Sequence, residues 1–160
     1  MVCRANITRS PFFAGYLGKL IHQRSIPWLK DLQIISAGTQ AAEGTPANPV
    51  IKHLARLNGF SLLHHRSQRF KRKIARRADL VLTMEENQKA AILELYPNLK
   101  GRVFTVRGFG EGEPNVPDVD IPDPTGREAE DFQAFINVTR SVAERVLHVL
   151  WAERLPQIER

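Results

Sequence analysis

The chain is 160 residues long, 42% hydrophobic and 25% charged, with a net charge of +6. That apolar content supplies a core of ordinary size, so one domain over residues 1–160 is expected to fold without staples. The single cysteine excludes an internal disulfide and a cysteine-rich zinc cluster, and a reducing, cytoplasmic setting is expected.

The charge is uneven. Residues 1–80 carry 14 Lys/Arg against 3 Asp/Glu, and residues 81–160 carry 9 against 14, so +11 stands beside −5. A basic half attracts nucleic acid, anionic lipid or an acidic or phosphorylated protein. Arg4, Arg9, Lys19, Arg24 and Lys30 all precede the first acid, Asp31, which imitates a targeting segment. The apolar run at 12–20 is broken by Lys19, has no small-residue cleavage pattern after it, and is too short to span a bilayer. No membrane insertion is expected.

In chain order, residues 1–11 read as a loop, Cys3-Arg4-Ala5-Asn6-Ile7-Thr8-Arg9-Ser10-Pro11, running into a first helix. Pro11 suits a first helical turn, and Phe12, Phe13, Tyr16, Leu17, Leu20 and Ile21 recur at helical spacing, with an end between Arg24 and Pro27. Residues 32–36 predict a short buried strand closed by Ala37-Gly38-Thr39. Pro49 opens a second helix with Val50, Ile51, Leu54 and Leu57 on one face, stopping at Asn58-Gly59 and packing on a sheet.

Residues 61–77 hold His64, His65 and a dense basic run, which reads as a solvated helix face or a binding patch. Residues 80–84 predict a strand, 85–96 a helix with acids in its first turn, and 102–106 another strand. A Gly-, Pro- and Asp-rich loop over 108–126 is long enough to suggest a function. The last helix runs from Glu128 to about Leu155, burying Phe132, Phe135, Ile136, Val142, Val146, Val149 and Leu150.

Strands alternating with helices predict a three-layer α/β/α fold around a four-stranded parallel sheet, with an unusually short first strand. Ligands in such folds bind beyond the carboxyl ends of the strands. Cys3 falls there, and so does the loop carrying Asp118, Asp120 and Asp123.

A phosphate resting on the 4–10 loop would meet backbone N–H groups and the positive end of the first helix. Arg9 adds a planar fork for two oxygens. The same field favours a Cys3 thiolate, which the Ser10 hydroxyl can steady. Such a thiolate can attack phosphorus, and a carboxylic acid on the facing loop can protonate the departing oxygen and later activate water. No metal or cofactor is required. Asp123 is slightly preferred as that acid, because Pro124 restricts its backbone.

Taken together these residues resemble the low-molecular-weight protein tyrosine phosphatases, especially the bacterial branch. Residues 3–11 are similar to the family's C-x-G-N-x-C-R-S-P loop, Ser36-Ala37-Gly38-Thr39 to its SAGT segment, residues 78–85 to its third strand, and Asp123-Pro124 to its acid loop. The resemblance implies a flavodoxin-like sheet and hydrolysis of phosphotyrosine in a protein, plausibly an autophosphorylated tyrosine kinase of polysaccharide export. It also implies a monomer or weak dimer. By the same resemblance Cys3 is the nucleophile, Arg9 the phosphate-binding arginine and Asp123 the general acid. Arg4, Ala5, Asn6, Ile7, Thr8, Arg9 and Ser10 form the phosphate loop, and Asn6, Ser10, Ser36 and His65 support it.

Four departures stand out. Ala5 replaces a glycine and is expected to carry strain at positive φ. Thr8 replaces a second loop cysteine, so no disulfide can shelter Cys3. Thr125 stands where relatives place an aromatic residue. Only Met1 and Val2 precede Cys3: either a stub of strand suffices or the start lies upstream. Ile7, where the related protein arginine phosphatases tend to have threonine, favours phosphotyrosine over phosphoarginine. The related arsenate reductases need cysteines that are missing here. Two other classes are a non-catalytic phosphate-binding module, disfavoured by the intact Cys3, Arg9 and Asp123, and a nucleic-acid binder. No aromatics interleave the basic run, so no nucleic-acid partner is expected.

Overall fold

The structure is a computed structural model that describes residues 1–25, 29, 31–111 and 119–153. In chain order the elements are β1 (Val2–Cys3), α1 (Arg9–Arg24), β2 (Ala37–Gly38), α2 (Pro49–Leu57), α3 (Arg72–Arg77), β3 (Val81–Thr83), α4 (Glu86–Leu95), a 3₁₀ turn (Pro97–Leu99), β4 (Val103–Thr105) and α5 (Ala129–Glu153). The four strands are all parallel, in the order β2-β1-β3-β4.

The two-residue period of a strand sorts its side chains into two cores. Val2, Val81 and Val103 join Ala37, Phe70, Ala75, Ile92 and Leu99 on one face. Cys3, Leu82 and Phe104 join Phe12, Phe13, Leu17, Phe135, Ile136 and Val146 on the other. Helices α3 and α4 therefore cover one side and α1 and α5 the other, which is the expected three-layer fold. The connection after β1 runs to β2 on one side and the connection after β3 runs to β4 on the other, so the switch point of the sheet lies between the carboxyl ends of β1 and β3. Cys3 occupies the first of these ends.

The segment 32–36, expected as a strand, has no regular secondary structure, and β2 is the Ala37–Gly38 pair after it. The cause is the shortness of β1. The Met1 amino group donates to Ile35 O at 2.8 Å, and the ladder continues from Ala37 N–H to Met1 O at 2.9 Å and from Thr39 N–H to Cys3 O. Helix α2 also differs from expectation. Ile51 and Ala55 are its buried residues, Val50 and Leu57 are exposed, and it packs on α1 rather than on the sheet. Its start is as expected, with Asn48 Oδ1 accepting from Val50 N–H at 2.9 Å ahead of Pro49.

Helix α1 begins at Arg9, two residues before Pro11, and ends at Arg24. Pro27, Asp118 and Leu155, named above as a helix limit, a candidate acid and a helix end, lie outside the described residues. No helix among the described residues is long and apolar enough to cross a membrane.

Candidate active site

The loop between β1 and α1 is shaped by where its carbonyl groups go. Cys3 O accepts from Thr39 N–H, Arg4 O from Gln40 N–H, Ile7 O from Asn48 N–H and Thr8 O from Phe12 N–H. Asn6 O meets His65 Nε2 at 2.7 Å, and since a carbonyl can only accept, this ring nitrogen carries the proton. All these partners lie outside the loop. In a trans peptide the next N–H points opposite to its carbonyl. The N–H groups of Arg4, Ala5, Ile7, Thr8 and Arg9 are therefore turned inward, and none meets an acceptor among the described residues. Five convergent donors at the start of a helix form an anion nest.

Asn6 sets the curvature. Its φ is +57°, a left-handed conformation that asparagine tolerates better than most residues. Nδ2 donates to Ser10 Oγ at 2.8 Å and Ser36 Oγ at 3.0 Å, while Oδ1 accepts from Gln68 N–H at 2.9 Å. The strain expected at Ala5 is therefore found one residue later, at Asn6, because Ala5 is not among the residues of positive φ. Gly38 lets the loop sit this close. A Cβ there would stand 2.5 Å from Arg4 O and 3.0 Å from Asn6 N.

Asn6 N–H donates to the Cys3 sulfur at 3.3 Å, and the Ser10 hydroxyl lies 3.1 Å from it in a contact where either group can donate. Ser10 has one proton and a second acceptor, Ala37 O at 3.3 Å. A thiolate wins that competition, because a charged acceptor makes the stronger bond. Cys3 is buried, so its sulfur sits at the floor of the nest.

Arg9, 2% exposed, forms the wall. Nη1 bonds the Glu85 carboxylate and, at 2.8 Å, Ile121 O; Nη2 pairs with Asp123 Oδ2 at 3.0 Å. Nε is buried with no partner in the structure, a donor left over for an oxyanion. Glu85 is the residue that sequence reasoning missed. The sequence presents it as a first-turn acid of a helix, although it lies two residues beyond β3 and so stands at the same sheet edge as Cys3.

The acid loop separates its candidates. Asp120 Oδ1 accepts from Glu86 N–H at 2.7 Å, so this carboxylate serves the start of α4. Asp123 alone of the described pair reaches Arg9. Ile121 N–H bonds Met84 O at 2.8 Å, which pins the loop to the end of β3. Thr125 N–H donates to Asp123 Oδ1 at 3.0 Å, and the Thr125 and Thr8 hydroxyls are 2.8 Å apart. All the expected site residues, Cys3 to Ser10 with Ser36, His65 and Asp123, thus lie around one crevice.

The fold and site define a class: a doubly wound parallel sheet with a cysteine under an amide nest at its switch point, an arrangement suited to binding phosphate. The chain belongs to the low molecular weight phosphotyrosine protein phosphatase family, whose model matches residues 1–155. It is 31% identical over 155 residues to the low molecular weight protein-tyrosine-phosphatase Wzb of Escherichia coli K12, covering 97% of this chain and 96% of that one. Among solved structures it is similar to the YwlE arginine phosphatase from Geobacillus stearothermophilus, with TM-score 0.81, 29% identity and coverage of 99% and 96%. It is likewise similar to the tyrosine phosphatase Wzb from Escherichia coli K30 in complex with sulphate, with TM-score 0.76, 28% identity and coverage of 96% and 94%.

Proposed function

We propose that this protein hydrolyses phosphotyrosine in other proteins, with Cys3 as nucleophile, Asp123 as general acid and base, and Arg9 with the loop amides as the phosphate cradle. One observation carries the reading: two loops far apart in sequence meet on one guanidinium, where Arg9 at the wall of the nest pairs with Asp123.

A phosphate held by the inward N–H groups and Arg9 Nε brings phosphorus to the Cys3 sulfur. The thiolate forms an S–P bond as the bond to the tyrosine oxygen breaks, and that oxygen takes the Asp123 proton. The Asp123 carboxylate then removes a proton from water, whose oxygen attacks phosphorus while the S–P bond breaks. Inorganic phosphate and the thiolate result, and Asp123 is again protonated. The nest holds charge on the phosphoryl oxygens throughout, which is the larger part of such catalysis. Thiol chemistry of this kind suits a single domain working in the reducing cytoplasm.

The rim of the crevice supports an acidic partner. Arg66 and Arg69 are exposed and directly follow His65 and Gln68, which hold Asn6; Arg4 is exposed on the loop itself. A phosphotyrosine flanked by acidic residues fits that rim, and the partner we propose is an autophosphorylated tyrosine kinase of polysaccharide export.

The test is release of phosphate from p-nitrophenyl phosphate and from phosphotyrosine peptides by the wild type, Cys3→Ser and Asp123→Ala. We expect turnover only where Cys3 is present; an inactive, folded wild type overturns the reading. A second reading, hydrolysis of phosphoarginine, is favoured by the likeness to the Geobacillus arginine phosphatase. Higher kcat/KM on phosphoarginine peptides than on phosphotyrosine peptides would establish it instead.

A further inference from the structure

Taking that reading as its basis, we propose that the Thr8 and Thr125 hydroxyls form a latch that positions Asp123 for proton transfer. The observations concern how loosely the acid is otherwise held. The Asp123 side chain is 42% exposed, and the turn over 122–128 is closed by an internal bond from Arg127 N–H to Pro124 O. Two bonds tie this turn to the nest. One is the Arg9–Asp123 ion pair, and the other is the 2.8 Å contact between Thr8 Oγ1 and Thr125 Oγ1.

Thr125 joins both ends of the device. Its hydroxyl touches the loop that binds phosphate, while its backbone N–H donates to Asp123 Oδ1 at 3.0 Å. Holding Thr125 therefore fixes the rotation of the carboxylate and leaves Oδ2 on the crevice side, beside Arg9. Thr8 is buried within the nest, so the latch is anchored on the rigid partner. Thr125 is a positioning residue: it acts through Asp123 and does not touch the substrate.

A latch on the acid predicts dependence on the leaving group. Departure of a poor leaving group such as phenolate needs the proton, whereas dinitrophenolate leaves almost without it. We expect Thr125→Val to lower kcat/KM for phenyl phosphate by roughly 3- to 10-fold, the range of one hydrogen bond. The value for 2,4-dinitrophenyl phosphate should move by less than about 2-fold, and inhibition by inorganic phosphate should stay unchanged because the nest is intact. Thr125→Ser keeps the hydroxyl and should restore the wild-type ratio. Thr8→Val should lower the ratio of the phenyl to the dinitrophenyl value by the same factor as Thr125→Val, with that ratio in the double variant no worse than in either single one.

Equal losses on both substrates, or additive losses in the double variant, would overturn the latch. If phosphate inhibition weakens in step with the rate, the hydroxyl pair shapes the nest and the latch is likewise wrong. An inactive wild type removes the phosphatase reading and the latch together. An active wild type with an unchanged leaving-group ratio in Thr125→Val removes the latch alone.

Discussion

The crevice is made of two regions built to different standards. On one side, the loop over residues 3–10 has its carbonyls bonded outward, its asparagine fully engaged and its arginine buried. On the other, the turn over 122–128 has an exposed surface and reaches the nest through Arg9 and Thr8. The contrast follows from the work each side would do. Donors that stabilise charge act best when they need no reorganisation. An acid that serves a phenol in one step and water in the next has to admit both.

Ways to break that contrast can be ranked by size. Peroxide acting on Cys3 should end activity completely, since the chain has no second cysteine to trap the first oxidation product as a disulfide. Recovery with dithiothreitol should be poor, and full recovery would argue for a shelter the sequence lacks. Arg9→Ala removes the wall of the rigid side, and kcat/KM should drop by roughly 10²- to 10³-fold or more on every leaving group. Asp123→Ala should cost roughly 10²-fold on phenyl phosphate and much less on 2,4-dinitrophenyl phosphate. Similar profiles for these two variants would erase the distinction between the regions.

Gly38→Ala probes the rigid side from behind. Its Cβ would meet Arg4 O at 2.5 Å, so the loop must shift, at about 1–3 kcal/mol of stability. A lower Tm together with weaker phosphate inhibition is expected; an unchanged inhibition constant would show a more pliant nest.

The smallest effect concerns Glu43, which brackets the basic rim. Its carboxyl is held below its usual 4.5 by the Lys71 hydrogen bond first, at 2.7 Å, and then by Arg69 N–H at 3.2 Å. A carboxyl lowered on folding adds stability above its unfolded value and loses it as the pH falls through the folded one. Wild type should thus lose slightly more Tm than Glu43→Gln between about pH 5 and pH 3. Parallel curves would show that the exposed pair contributes nothing, as surface pairs often do.

Two of the departures from the family pattern change meaning in three dimensions. Thr8 and Thr125 read as losses in the sequence, one of a protective thiol and the other of an aromatic ring. In the fold their hydroxyls meet. The expected strain at Ala5 proved to be at Asn6 for a related reason: the loop's curvature is set by what its carbonyls bond to, and those partners, Gln40, Asn48 and His65, come from three other segments.

The sequence by itself determined the alternation of strands and helices, the start of α1 near Pro11, and the candidates Cys3 and Arg9 together with a short set of loop acids. These are local signals: side-chain period, proline geometry, and residue types at fixed spacing. Only the tertiary structure chose Asp123 over Asp120, brought Glu85 to Arg9 and moved β2 to Ala37–Gly38. Each of those depends on which loops share one edge of the sheet and on how far β1 extends to pair its neighbours. Such distances arise only when the strands assemble.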